Sequence, residues 1–368
     1  MMQSCAATSK PEARISIVIP VYNGGDSFRA CLTSLKTSLR RPDEIIVVAD
    51  GDTDGSSQVA AAFGAKVIRL PSSGGPAQAR NIGANAAQGD ILFFVDADVT
   101  LHPDTLHRVE QRFQQSPELD ALIGSYDDAP GADNFLSQYK NLFHHYTHQH
   151  AAEDASTFWG ACGAIRRSVF LAVGGFDSTY TKPCIEDIEL GYRLKRAGHR
   201  IALDKAVQVK HLKRWEAGSL LRAEIFYRAL PWTELLLSDG QFKADLNLSY
   251  TNRLSVVLIF LFILSLSANV ITGLSMPMAW AMTLGLGLGL LGLNWPVYRF
   301  FIRLKGPGFT LRVIPWHWLY FFYSGASFMY GLVRYYLGRW HLPVPPIPAG
   351  VCRTTATFPS NSVSSYRK

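Results

Sequence analysis

Four short runs of apolar, largely β-branched residues in the first hundred positions, separated by helix-length spacers, leave little choice of architecture. They are "RISIVIPVY" (14–22), "EIIVVAD" (44–50), "AKVIRL" (65–70) and "DILFFVD" (90–96). Near-continuous apolar runs of this length suit strands covered on both faces. The stretches up to about Leu39, from Ser56 to Phe63 and over 77–88 read as helices. Strand and helix alternating at this spacing build parallel βαβ units, and ligands of such sheets bind beyond the carboxyl ends of the strands. Those ends carry the unusual residues: Pro20 with Tyr22 and Asn23, then Asp50, then Gly74 and Gly75, then Asp96 and Asp98. If the fourth strand runs on through "VDADV", Asp96 and Asp98 face the same way. Two anions so placed repel unless a cation or solvent comes between them. Four such ends on one sheet edge define a candidate site.

Beyond residue 120 the pattern is less regular. "NFLSQYKNLFHHYTHQH" reads as a helix that carries His144, His145, His148 and His150. His144 and His148 share a helix face, but no carboxylate completes a metal motif, so the cluster reads as a wall of a binding site. "PCIEDIELGYRLKRAGHRIAL" reads as a helix from Ile185 to Ala197, stopped by Gly198, then a strand. Asp187 stands near the start of that helix, where on local grounds an acid is a cap or a dipole partner.

Apolar residues make up 48% of the 368 and are unevenly spread. Residues 254–276 and 278–298 hold two long runs, the first uncharged and the second Gly- and Leu-rich and uncharged up to Arg299. Both are long enough to span a bilayer, and Gly-rich packing is common between membrane helices. A third run, 313–335, is rich in aromatics and is left open between a span and an interfacial or re-entrant element. Arg299, Arg303, Lys305 and Arg312 fall in what reads as a loop before it, which the positive-inside rule places in the cytoplasm together with the N-terminal part. Apolar residues recur at helical spacing over 213–237, with Arg222 and Arg228 among them, as in a helix lying in the membrane interface. The net charge of +7 admits phosphorylated ligands or anionic lipid, and no basic stripe with interleaved aromatics marks a nucleic-acid module. The five cysteines are scattered, with no CxxC, which fits a reducing compartment rather than a zinc site or disulfide framework. "MMQSCAATSKPEAR" has no apolar core of a signal peptide and reads as a loose tail.

Taken in order, "IPVYNGG", "VVADGDTDGS", "GGPAQARNIGANAAQGDILFFVDADV", "GAIRRSVFLAVGGFD" and "IEDIELGYRLKRAGH" resemble the family 2 glycosyltransferases of the GT-A fold. The resemblance covers residues 14 to 215. It implies an α/β fold, Rossmann-like, with a mostly parallel central sheet flanked by helices, here followed by an α-helical membrane region. It implies inverting transfer from a nucleotide-diphosphate sugar, assisted by Mg²⁺ or Mn²⁺. Asp98 and Asp96 match the family's DxD, with Asp98 on the metal and Asp96 on ribose or metal. Asp50 matches the carboxylate that contacts the nucleobase, although Ala49 stands where the family usually has a second aspartate; a uridine donor is favoured. Pro20, Tyr22 and Asn23 fall in the donor-binding motif, and Arg80 matches a basic residue of the donor site. Asp187 matches the base that deprotonates the acceptor, with Glu186 supporting it. His211 either completes the metal site or replaces the Gln of a QxxRW-like motif, in which case Arg214 and Trp215 lie near the diphosphate and acceptor.

These readings divide the chain into a disordered tail (1–13), a catalytic domain (14–212), an interfacial helical region (213–245), a membrane region with two or three transmembrane helices (254–337) and a second disordered tail (341–368). They lead to a multi-pass protein of the cell's inner membrane with its catalytic domain in the cytoplasm. Its partners are a nucleotide-sugar donor and a lipid-linked or glycan acceptor, with no nucleic acid and with room for membrane partner subunits. Two alternatives stand beside it: a subunit of a processive polysaccharide synthase, and a non-catalytic nucleotide-sugar-binding scaffold on the same fold.

Overall fold

The strands and helices expected in the N-terminal part form close to their sequence bounds. The computed structural model describes residues 13–240, 246–273 and 277–339. β1 (Ile15–Val21), β2 (Glu44–Asp50), β3 (Lys66–Leu70) and β4 (Ile91–Val95) alternate with α1 (Gly25–Lys36), α2 (Ser56–Phe63) and α3 (Pro76–Ala86). β5 (Val99–Leu101), α4 (Thr105–Gln115), β6 (Ala121–Tyr126), α5 (Phe135–His150), β7 (Cys162–Arg166), α6 (Arg167–Ala172), α7 (Glu186–Arg196) and β8 (Ile201–His211) complete the sheet and its covering helices. The two tails expected to be disordered lie, but for Ala13, outside the described residues.

The eight strands form one mixed sheet in the order β3-β2-β1-β4-β7-β6-β8-β5. β1 to β4 run parallel; β7 is antiparallel to both β4 and β6, β6 is parallel to β8, and β5 is antiparallel to β8. The period-2 alternation of side chains sorts β1 between two cores. Ile15, Ile17 and Ile19 pack with Phe28 and Leu32 of α1, and Val18 packs with Ala77, Ala79 and Ala84 of α3. Covered on both faces, these strands had to be continuously apolar.

The C-terminal part is helical. α8 (Ala217–Arg222), a π-helical stretch (Ala223–Ala229) and α9 (Leu230–Asp239) follow one another over the segment read as an interfacial helix. α10 (Tyr250–Thr272), α11 (Pro277–Leu293), α12 (Trp295–Lys305) and α13 (Pro307–Arg339) come next. Tyr139, Leu142 and Phe143 of α5 pack on Val297, Tyr298 and Phe301 of α12 and on Val313 of α13, which docks this region on the sheet domain. α10 and α11 are joined by buried polar contacts, Ser265 Oγ to Thr283 Oγ1 at 2.6 Å and Asn269 Nδ2 to Thr283 Oγ1 at 2.9 Å. Such contacts suit helices packed in an apolar medium.

Two expectations are corrected here. The basic stretch from Arg299 to Lys305 is not a loop but helix α12, because its apolar residues Val297, Tyr298 and Phe301 make a buried stripe. The multi-pass anchor is not supported either. Among the described residues one helix, α10, is long and apolar enough to cross a membrane; α11 and α12 pass only as a pair bent by 63°. Most of α10 stays outside the core, with Val257, Leu261, Leu264, Val270 and Ile271 exposed.

Candidate active site

Asp96 and Asp98 do not face a common partner. β4 ends at Val95, so both acids lie in the turn into β5, where strand alternation no longer applies. Arg80, a buried residue of α3, donates from Nη2 to Asp96 Oδ1 at 2.6 Å and from Nη1 to Glu186 Oε1 at 2.8 Å. The guanidinium can occupy this place because Gly160 has no side chain; a Cβ there would stand 2.9 Å from Arg80 Cζ. Glu186 is further fixed by the Cys184 N–H, which donates to Oε2 at 2.8 Å.

Asp187, the next residue, is half-buried at the first turn of α7. Its Oδ2 accepts from Gly160 N at 3.1 Å and its Oδ1 from Ile188 N at 2.8 Å. Burial and the neighbouring Glu186 charge push its carboxyl up to about 6, against the Gly160 N–H and the Arg80 and Arg228 charges, which favour the anion. A carboxylate poised there suits general-base work near neutral pH.

A second cluster forms on the other side of the β4–β5 turn. His211 ends β8 and pairs across the ladder with Val99. Its Nδ1 lies 2.6 Å from Asn141 Oδ1, and its Nε2 lies 3.5 Å from Asp98 Oδ2. Because Asn141 presents an acceptor, Nδ1 carries a proton and Nε2 is the nitrogen turned to Asp98. The Tyr126 ring stacks on His211 at 4.5 Å. Burial pushes Asp98 upward, but the His211 and Lys213 charges outweigh it and hold the carboxyl at about 2.

Among the described residues no three His, Cys, Asp or Glu side chains converge into a closed metal cage. The donor set nonetheless fits a divalent cation that takes further ligands from a bound molecule. It offers one imidazole nitrogen oriented through its other ring nitrogen, and one ionised carboxylate beside it. That pairing is the usual second-shell arrangement of a ligating histidine and suits Mn²⁺ better than Mg²⁺.

The remaining candidates are distributed around these clusters. Asp50 is buried and accepts from Ser73 Oγ at 2.8 Å, Gly74 N at 2.8 Å and Gly75 N at 3.0 Å, pinning the loop after β3. Gly75 has φ +92°, and a Cβ on it would meet the Thr181 carbonyl oxygen at 2.5 Å. Pro20 is half-buried near the end of β1, and Tyr22 beyond it is exposed. Asn23, at φ +51°, accepts from Thr53 N at 2.8 Å. Arg214 is exposed and pairs with Glu216 at 3.0 Å. Trp215 is buried against Leu136 and Leu220, and its backbone N–H donates to Ser137 Oγ at 2.7 Å. Neither contact runs to Asp96 or Asp98. Of the histidine cluster, His145 and His148 bond the Tyr126 and Gly124 carbonyls at 2.7 and 2.9 Å, tying α5 to β6, and His144 packs on Tyr126 and Trp159.

Sequence reasoning missed Asn141, Tyr126, Gly160 and the part Arg228 plays. Asn141 lies 70 positions from His211, in a helix whose pattern marks only a packed face, so no local signal points to it.

An eight-stranded mixed sheet flanked by helices, with acids gathered at the strand ends, is an α/β domain that fits the GT-A fold. The family model described as Glycosyl transferase family 2 matches residues 16–174. The chain is 32% identical over 117 residues to the glycosyltransferase GlyG of Streptococcus pneumoniae serotype 4, covering 30% of this chain and 38% of that one. It is 30% identical over 224 residues to a pre-mycofactocin glycosyltransferase of Mycobacterium tuberculosis, covering 58% of this chain and 46% of that one. The chain thus spans less than half the length of these curated relatives. Among solved structures, a mannosyltransferase from Pyrobaculum calidifontis, in complex with GDP-Man and Mn²⁺, aligns with a TM-score of 0.48 at 16% identity, covering 86% of this chain and 87% of that one.

Proposed function

We propose that this chain is an inverting glycosyltransferase that moves a sugar from a nucleotide-diphosphate donor, UDP-linked in preference, to an acceptor held at a membrane surface. The observation that carries the reading is the Arg80 bridge, which joins the Asp96 side of the site to Glu186 and so holds Asp187 at the same opening.

In this reading the donor lies across the carboxyl ends of β1 to β4. The loop held by Asp50 forms the wall beside the nucleoside, and Tyr22 and Asn23 stand at its rim. Asp98 and His211, with Asp96 beside them, would hold Mg²⁺ or Mn²⁺ together with the diphosphate. The cation, when bound, offsets the charge that gathers on the leaving diphosphate. Asp187 takes the proton of the acceptor hydroxyl. The freed oxygen bonds to the anomeric carbon from the face opposite the diphosphate. The bond from that carbon to the diphosphate oxygen breaks, its electron pair leaves with the nucleoside diphosphate, and the configuration inverts. Glu186 touches no reacting atom in this scheme; it positions Asp187 and raises its basicity. Arg80 neutralises the two acids it bridges and keeps them from spreading apart. The exposed apolar face of α10 supports attachment to a bilayer.

A panel of UDP-, GDP-, ADP- and CMP-sugars, each with and without Mn²⁺, tests the reading by thermal stabilisation of the purified full chain. A donor at 100 times its Kd stabilises the folded state by about 2.7 kcal/mol. The expected result is a shift with a UDP-sugar that needs the metal. No shift with any nucleotide sugar would overturn the reading, and an equal shift without metal would remove the cation from it.

A further inference from the structure

A cleft of about 840 Å³ lies between the π-helical stretch with α9, helix α10 and helix α13. Its long walls are apolar: Val257, Leu261 and Leu264 from α10 face Phe321 and Phe328 from α13. Its charged lining groups are Glu224, Arg228 and Arg253. Arg253 sits at the start of α10, while Leu264 lies eleven residues further along, about 16 Å at 1.5 Å per residue. The cleft thus joins a few charged groups to a long, largely hydrocarbon-like lining.

The charged groups of the lining carry a net positive charge. Glu224 receives Lys140 Nζ at 2.8 Å, Arg228 Nη1 at 3.3 Å and the Tyr323 hydroxyl at 3.1 Å. Two cations share this one carboxylate; of them Arg228 lines the cleft, and Arg253 adds a second positive charge to the lining. The cleft lining is connected to the helix that carries Asp187. Trp232 lines the cleft and donates through Nε1 to the Tyr192 hydroxyl of α7 at 3.1 Å. Leu236 also lines it, and both residues pack in one cluster with Ile185 and Ile188, which flank Asp187. A π-helical turn, a feature often found at functional sites, sets Arg228 at this junction.

We infer that the cleft seats the hydrocarbon chain of an amphiphilic acceptor whose phosphate rests against Arg228 and whose hydroxyl-bearing end reaches Asp187. The last clause rests on the proposed function; the seating of the chain and of the phosphate does not. Charge complementarity selects an anionic amphiphile over a neutral one, and the length of the apolar walls selects a long chain over a free phosphate.

The test uses the full chain in phosphatidylcholine nanodiscs and a long-chain alkyl phosphate with a diazirine at the chain end. Photolabelling should concentrate on 256–264 and 320–329. Unlabelled dodecyl phosphate should compete about 10-fold better than dodecanol, a difference of one charge-assisted contact. Arg228→Gln should erase that preference, and Leu261→Trp, which fills the cleft from an exposed position, should abolish labelling. Val270→Trp, on the same helix outside the cleft, should leave labelling intact. Label spread evenly over Val270, Ile271, Leu284 and Leu288 would overturn the site, and equal competition by dodecanol would overturn the anionic head. The nucleotide-sugar panel separates the two readings: labelling without nucleotide binding keeps the cleft and removes the transferase, and the converse keeps the transferase and removes the cleft.

Discussion

Arg80 and Glu186 stand 106 residues apart in the chain and 2.8 Å apart in space, both buried. This contact joins α3, which follows the third strand, to α7, which carries Asp187. With the second Arg80 bond to Asp96 it makes one charged unit of residues that the sequence presents as separate motifs.

Removing Arg80 leaves Asp96 and Glu186 as under-compensated acids in a desolvated place. Arg80→Ala should cost about 3–5 kcal/mol of stability, the usual penalty for breaking one side of a buried ion pair. Chemical denaturation of the solubilised protein reads it. Glu186 keeps the Cys184 N–H as a partner, so Glu186→Gln should cost less.

The pH profile reports on Asp187. Its carboxyl lies at about 6, raised by burial and by Glu186, and the base form is the working one. kcat/KM should therefore fall as pH drops through about 6. Glu186→Gln removes a raising charge and leaves the Arg80 charge in place, so the limb should move to lower pH. The linked effect on stability runs in the opposite direction. A raised carboxyl favours its protonated form in the folded state, so the Asp187 contribution becomes unfavourable as pH rises above about 4, the unfolded value.

Asn141 touches no proposed ligand directly, yet it fixes the ring of His211. Asn141→Leu should weaken Mn²⁺ binding in the presence of nucleotide by about 10–100-fold, the range found for partners of metal-ligating histidines. Titration calorimetry with the metal reads this. Nucleotide binding without metal should hold, which separates the effect from misfolding.

Asp50 is tested through its loop. Asp50→Ala leaves the buried Gly75 N–H and the half-buried Gly74 N–H without their acceptor, a cost of about 1–3 kcal/mol for the buried one and less for the other. Donor affinity should drop with it, measured as KM for the nucleotide sugar, with a smaller effect on kcat.

The first half of the sheet was legible in the sequence because its strands are buried on both faces, which forces unbroken apolar runs. β2 and α2 form over the residues their patterns mark, and β1, β3 and β4 differ only at their ends. Local pattern failed where a long-range contact decides. The expected alternation of Asp96 and Asp98 assumed that β4 continues, but it stops at Val95 and the two acids turn to Arg80 and His211. The charges of α12 suit a basic loop, but the spacing of Val297, Tyr298 and Phe301 gives it a buried stripe and makes it a helix. Trp215, which would lie near the diphosphate and acceptor if His211 replaces the Gln of a QxxRW-like motif, packs in a small core with Leu220. The cleft beside α10 is closed by α13, which lies more than fifty residues further along the chain, and no single segment announces it.

The most direct test of the central claim compares wild type with Asp187→Asn, using the donor that stabilises the protein most. Nucleotide affinity should stay within about 2-fold, since Asp187 lies on the acceptor side. Turnover of the nucleotide sugar should fall by about 10²–10⁴-fold, the usual share of a positioned general base. An Asp187→Asn protein that turns over the donor as fast as wild type would contradict the assignment of the base, and with it the chemistry built on the Arg80 bridge.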